Sequence, residues 1–303
     1  MKAAIYFNEL QPLLYGYYIC KGVIFLHRKI SAAVFTVLTA MFMCGCTSDK
    51  NTVGQSAGHN DRGGVTPAET AFLTDGKEKV CYGQGYETDS DNRPVGATQA
   101  QEKYGSYGGR FIFGKDDKTI CLTFDEGYEN GCTGKILDIL KEKKVTATFY
   151  VTLDYVKSSP ELVQRMINEG HEVGNHSYTH PSLPDISDDM VFEEIHGLET
   201  YISDNFGGYK TVTMRPPRGE FSVRTLRIAK NMGYDTVLWS FAYNDWNTDA
   251  QPDRDTAYRR ITSATHNGAV YLLHAVSETN TAILPDVIDY WLDNGYTVKS
   301  ISG

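Results

Sequence analysis

The sequence predicts an α/β protein built on a parallel sheet, and three observations carry that reading. From Lys118 onward, short apolar strands alternate with amphipathic helices for about seven units, which is the pattern of a parallel sheet, either open and doubly wound or closed as a barrel. Titratable residues recur just past the apolar strands, at the carboxyl ends where both architectures collect their chemistry. Over 303 residues the chain is 41% hydrophobic and 22% charged, ordinary globular composition with room for one large core or two small ones.

The elements follow in order. Thr119 to Phe124 reads as the first strand, followed by a helix over Lys135 to Lys143, a strand over Thr146 to Val151 and a helix over Pro160 to Glu169. Next come the strand Glu172 to Gly174, a helix over Asp188 to Asp204, the strand Val212 to Met214 and a helix over Ser222 to Met232. Thr236 to Trp239, a helix near Asp255 to Thr265, the strand Ala269 to Leu273, the helix Ala282 to Asn294 and the strand Tyr296 to Ile301 complete the series. At about 185 residues a closed version is a small barrel.

Ahead of this domain, residues 1–46 read as a signal peptide. Ile30 to Met43 is apolar apart from Ser31, Thr36 and Thr39, and it follows the basic residues Lys21, His27, Arg28 and Lys29. The apolar run is shorter than the roughly 20 residues of a permanent span, so a secretory leader fits better than a membrane anchor. It ends in Met43-Cys44-Gly45-Cys46, which resembles a bacterial lipoprotein box with Cys46 as the lipidated first residue. The expected location is therefore outside the cytoplasm, anchored through that lipid alone, with plain secretion as the alternative. Residues 47–70 are Gly, Ser, Thr, Asn and Asp with little apolar content, too little to offset ordering entropy, and form a tether. Residues 71–117, turn-rich and aromatic without helical period, read as an extension packed on the catalytic domain at 118–303.

Charge and cysteines narrow the partners. With 29 Lys+Arg against 38 Asp+Glu the net charge is -9, which argues against nucleic acid as a partner. Twenty tyrosines suit carbohydrate contact and equally suit the rim of a core. Beyond the leader only Cys81, Cys121 and Cys132 remain. Cys121 lies in an apolar strand and reads as a buried thiol, and a bond from Cys81 to either of the others stays open. No internal repeat and no phosphate-binding glycine loop is evident.

The strand ends carry the chemistry. Asp125 and Glu126 follow the first strand, as a metal site, a general base or a solvated turn. His176 and His180 are four residues apart and converge on one ion if the segment turns helically. In Arg215-Pro216-Pro217-Arg218 the two prolines remove backbone donors and fix where both arginines project. The strand Val270 to Leu273 runs directly into His274.

Taken together, Thr123-Phe124-Asp125-Glu126, His176-Ser177-Tyr178-Thr179-His180, Arg215-Pro216-Pro217-Arg218-Gly219, Asn244-Asp245-Trp246 and Tyr271-Leu272-Leu273-His274 resemble, in order, the NodB-type polysaccharide deacetylases. The likeness runs from Lys118 to the C-terminus. Its details are most similar to the bacterial muramic-acid deacetylases that precede delta-lactam formation in peptidoglycan, through Phe124-Asp125-Glu126-Gly127-Tyr128-Glu129-Asn130-Gly131 and Arg218-Gly219-Glu220-Phe221-Ser222.

The resemblance implies a distorted (β/α) barrel of about seven strands, a divalent metal, usually zinc, and peptidoglycan or a related N-acetylated glycan as substrate. It implies Asp125 as base, Arg215 as its clamp and His274 as acid. His176, His180 and Glu126 are implied as metal ligands, and Arg218, Trp246, Leu272 and Asp245 as substrate-binding residues. In two places the chain departs from the wider family. Glu126 stands where a second aspartate is usual. Ala242 stands where an aspartate commonly tunes the catalytic histidine, so that His274 is expected to be less basic unless Asp245 compensates. Two alternatives accompany this reading: a deacetylase of N-acetylglucosamine polymers or acetylated xylan, and a cell-surface glycan-binding protein without turnover.

Overall fold

In the computed structural model, which describes residues 76–303, secondary structure begins well before Lys118. β1 (Val80–Cys81), α1 (Val95–Tyr104) and β2 (Gly109–Arg110) lie in the stretch that reads as an extension without helical period. The helix is hard to see in sequence because its buried residues are Ala97, Ala100 and Tyr104, which give little amphipathic contrast. The leader and tether readings lie outside the described residues.

The alternation then proceeds through β3 (Thr119–Glu126), α2 (Thr133–Lys143), β4 (Thr148–Val151), α3 (Leu153–Ser158), α4 (Pro160–Asn168) and β5 (Glu172–Asn175). It continues with α5 (Asp188–Asn205), β6 (Thr213–Met214), β7 (Glu220–Phe221), α6 (Val223–Asn231) and β8 (Asp235–Val237). The last elements are α7 (Arg254–Ser263), β9 (Ala269–His274), α8 (Glu278–Asp293) and β10 (Thr297–Lys299). α8 begins four residues before the predicted Ala282, because the Ser277 side chain caps it by accepting from the Asn280 N–H.

The main sheet has eight strands in the order β10-β3-β4-β5-β6-β8-β2, with β9 also on β3, and every pair is parallel. β4 and β9 both pair with residues 123–125 of β3, so they flank it on opposite sides, and β10 shares the β4 side lower down. Eight strands thus fill seven positions. The sheet curls until the Ser240 and Phe241 N–H groups donate to the Val270 carbonyl and the Phe241 carbonyl accepts from Leu272. That seam, with one bridge from Phe241 to Tyr271, makes the fold a curled, incompletely closed barrel rather than an open doubly wound sheet. β2, from the extension, pairs with β8, so the extension contributes to the sheet itself.

Successive residues of a strand face opposite sides, and β3 is buried on both. Ile120, Leu122 and Phe124 pack against the helices, with Ile136 and Leu140 of α2 and Trp291 of α8. Cys121 faces the barrel interior with Tyr150, Val270 and Leu272. The alternation puts Asp125 on the interior face and Glu126 on the helix face. Cys121 and Cys132 are free thiols, which closes the possibility that either is bonded to Cys81.

Candidate active site

The interior face of the sheet opens at its carboxyl end into a cavity of about 410 Å3 lined by Asp125, Tyr128, His176, His180, Trp246 and His274. A larger, shallower depression of about 640 Å3 lies between α7 and α8, away from these residues. Asp125 and His274 are register partners on β3 and β9, so the two strands deliver them side by side. β5 leads directly into His176, and β6 into Arg215.

Arg215 is fully buried. Its Nη1 donates to Asp125 Oδ1 at 2.7 Å, while Nε and Nη2 donate to the carbonyls of Val237 and Leu238, each at 3.2 Å. The guanidinium also lies 4.3 Å from the centre of the Tyr150 ring. A buried cation requires such partners, because removing one leaves an uncompensated charge. Burial acts to raise the Asp125 pKa, but the positive charge of Arg215, with His176 and His274, holds it below the ordinary carboxylate value. Asp125 is therefore an anion with one oxygen occupied and the other, Oδ2, 3.6 Å from His176 Nε2.

His176 Nδ1 lies 2.9 Å from the Arg215 carbonyl. A carbonyl can only accept, so Nδ1 carries the proton and Nε2 presents its lone pair to the cavity. The His180 ring stands 4.9 Å from that of His176, centre to centre. The two approach without the helical turn that their spacing suggested: Ser177 and His180 take left-handed φ values of 68° and 61°, and the Ser177 hydroxyl accepts from the His180 N–H at 3.0 Å. Burial pushes both imidazoles down, His180 to about 4, and keeps them neutral, the form that binds a metal.

Arg218, three residues past Arg215, is exposed and is also left-handed, with φ 61°. Strained backbone of this kind concentrates at functional sites, and Ser177, His180 and Arg218 are three of the five such non-glycine residues described. The next residue has to be glycine, since a Cβ on Gly219 (φ 65°) would lie 2.7 Å from the Trp239 ring.

Across the cavity, His274 Nδ1 meets Asp245 Oδ1 at 2.7 Å, and the His274 N–H donates to Oδ2 at 2.9 Å. Asn280 donates to the same Oδ2 at 2.6 Å. Burial opposes protonation of His274, yet the Asp245 charge and hydrogen bond prevail and raise its pKa. Asp245, expected at the substrate, is fully buried and holds the histidine, which is the compensation for Ala242 that the sequence left open.

Leu272 shares the interior face with His274, two residues below it, and is buried in the aromatic cluster of the barrel. Trp246 is 50% exposed on the cavity wall.

Glu126 is the largest departure. Expected as a metal ligand, it lies on the helix face of β3, fully buried, where its carboxyl accepts from Thr133 Oγ1 at 3.3 and 3.4 Å. Burial, reinforced by Glu129, pushes its pKa well above the ordinary value. With this side chain turned away, no three His, Cys, Asp or Glu side chains among the described residues already converge as a metal cluster. Two contributors escaped the sequence reading. Tyr128, 54% exposed on the cavity, was visible only as part of a motif. Asn280 gave no signal, because it precedes the helix as the sequence predicted it.

This arrangement defines a class, and the comparisons with known proteins name it. The polysaccharide deacetylase family profile matches residues 114–237. The peptidoglycan-N-acetylmuramic acid deacetylase PdaA of Bacillus subtilis is 43% identical over 200 residues, covering 66% of this chain and 75% of that protein. The solved structure of PdaA, a family 4 carbohydrate esterase, superposes with a TM-score of 0.71 at 39% identity over 75% of this chain and 96% of that one. A family 4 carbohydrate esterase from Bacillus anthracis gives 0.62 at 38% identity over 75% and 95%. The chain belongs to the polysaccharide deacetylase family, hydrolases of N-acetyl amide bonds.

Proposed function

We propose that the protein removes the acetyl group from N-acetylmuramic acid residues of peptidoglycan, with a divalent metal as cofactor. The observation that carries the reading is a base and an acid side by side in one cavity: Asp125 clamped as an anion by Arg215 and His274, its register partner on the next strand, clamped by Asp245. An amide needs both, one to take a proton from the attacking water and one to give a proton to the departing amine.

The donor set fits a metal. His176 and His180 would hold it, both neutral, with the His176 tautomer fixed by the Arg215 carbonyl. A divalent ion, zinc being the one best suited to imidazoles, supplies polarisation of the acetyl carbonyl and a more acidic water. Two imidazoles, against the usual three protein ligands, make the site weak and exchangeable.

The remaining steps belong to the chain. Asp125 Oδ2, the oxygen not taken by Arg215, accepts the proton of the water. By the resemblance to the family, the N–H of Arg218 would serve the oxyanion; Pro216 and Pro217 have none to offer. His274 Nε2 donates to the amine, Nδ1 remaining on Asp245. Trp246 flanks the sugar.

Muramic acid as substrate follows from Arg218, because the lactyl carboxylate of a peptide-free muramic residue can form a charge-assisted pair with its guanidinium, worth about 1.5 to 3 kcal/mol. Glu220, the nearest competing acid in sequence, is engaged by Lys79 at 3.0 Å. Kinetics on peptide-free glycan and on chitooligosaccharides tests the assignment. Arg218→Ala should lower the ratio of specificity constants at least about tenfold; an unchanged ratio, or a wild-type preference for the chitooligosaccharide, rejects muramic acid. We further propose that Cys46 carries a lipid and places the enzyme outside the cytoplasm. Incorporation of labelled fatty acid that disappears in Cys46→Ser is the expected result.

A further inference from the structure

Residues 80–84 precede the family match, which starts at residue 114, yet they lie against both loops that carry the charges of the cavity. β1 pairs antiparallel with β7, directly after Arg218 and Gly219. The Tyr82 N–H donates to the Gly219 carbonyl at 3.0 Å, and the Tyr82 hydroxyl donates to the Trp239 carbonyl at 2.6 Å. Gln84 then takes both ends of segment 239–242. Its Oε1 accepts from the Trp239 indole N–H at 2.9 Å, and its Nε2 donates to the Ala242 carbonyl at 2.9 Å. A terminal amide does both at once, which neither a carboxylate nor an ammonium can.

Segment 239–242 stands between two parts of the mechanism. One residue before it, the Leu238 carbonyl accepts from Arg215 Nη2, and Arg215 holds Asp125. Three residues after it, Asp245 holds His274. The Trp239 ring also lies 5.9 Å from the Arg215 guanidinium. Gln84 is itself seated from behind, because the main chain of α1 approaches it at Gly96, where a Cβ would lie 2.5 Å from the Gln84 carbonyl oxygen.

We infer that Gln84 is a positioning residue of the active site, an element of the extension that fixes segment 239–242 and through it the placement of both Arg215 and Asp245. The inference rests on the deacetylase reading for its catalytic consequence. It also involves Ala242, through the backbone carbonyl that the extension grips.

The test uses the full chain and two readouts, one of which needs no substrate. In Gln84→Leu, hydrogen exchange of amides in 238–246 should accelerate about tenfold while α2 and α5 keep wild-type rates. Turnover per folded molecule should fall about tenfold, with KM changed less than twofold. Gln84→Glu, which keeps only the indole contact, should fall between. Gly96→Ala touches neither loop and suits a helix, so it should move both readouts in the same direction solely by displacing Gln84. Uniform acceleration across the domain, no acceleration, or local acceleration with unchanged turnover overturns the inference. A wild-type chain inactive on every N-acetylated glycan counts against the deacetylase reading instead, and the exchange pattern still decides whether Gln84 fixes the segment.

Discussion

His176 and His274 stand on opposite walls of one cavity, and the protein biases them toward opposite charge states. Burial lowers the proton affinity of both. What separates them is the partner of Nδ1: for His176 it is the Arg215 carbonyl, neutral and attached to a residue whose cation lies in the same cluster, and for His274 it is the Asp245 carboxylate. A neutral carbonyl orients the ring and supports a second proton less than an anion does, so burial prevails at His176 while the carboxylate prevails at His274. One wall therefore offers lone pairs and the other a proton, and the division of labour follows from which atom each ring meets.

Breaking the lone-pair wall should have the largest effect. His176→Ala or His180→Ala leaves one imidazole, and bound metal and activity should be lost together, read by metal analysis alongside acetate release. Full activity without metal in both variants would remove the metal from the scheme. Asp125→Asn is next. Turnover should fall by roughly 10³-fold while metal remains, since the imidazoles are untouched; equal loss of metal would make Asp125 a ligand.

Asp245→Asn sharpens the comparison by giving His274 a neutral partner like that of His176. A 10- to 100-fold loss in kcat is expected, as for other residues that orient a catalytic group, and the alkaline limb of the pH profile should move to lower pH. The same pair contributes to stability with a defined sign. The His274 pKa is raised above its ordinary 6.5, so its contribution is fully present below that pH and is lost as pH rises through the folded value. Wild type should lose stability across that interval, and Asp245→Asn should not. Parallel melting curves across the interval would mean that Asp245 does not tune His274.

Much of this site was legible in the sequence because its residues stand immediately after apolar strands. Asp125, His176, Arg215 and His274 could be placed at one end of the sheet from strand order alone. What the sequence hid is side-chain direction at the last strand residues and contacts made across the chain. Asp125 and Glu126 read as a pair, but β3 runs two residues past the predicted Phe124, and within a strand neighbours face opposite sides. Asp245 was legible as polar, yet its task depends on a hydrogen bond spanning 29 positions. The helix α1 and the strand β2 were missed for a local reason, small buried residues and a strand of two residues, too short for any period to register.

Glu126→Gln should have the smallest effect, and it decides whether the metal wall has a third protein ligand. The side chain keeps its length and its acceptor for Thr133, so packing against α2 should survive with a change within about 1 kcal/mol. Because the carboxyl pKa is raised well above 4.5 in the folded protein, the folded state holds a proton that the unfolded state releases, and wild-type stability should fall as pH rises from 4.5 through the folded value. Glutamine carries no such proton. The variant should therefore gain on wild type with rising pH across that interval, by thermal denaturation at several pH values, while metal affinity and kcat stay within twofold. A tenfold loss of metal affinity would return Glu126 to the cavity as a ligand. It would also mean that the end of β3 turns over when metal binds, since the strand now places Glu126 on the face opposite Asp125, against Thr133.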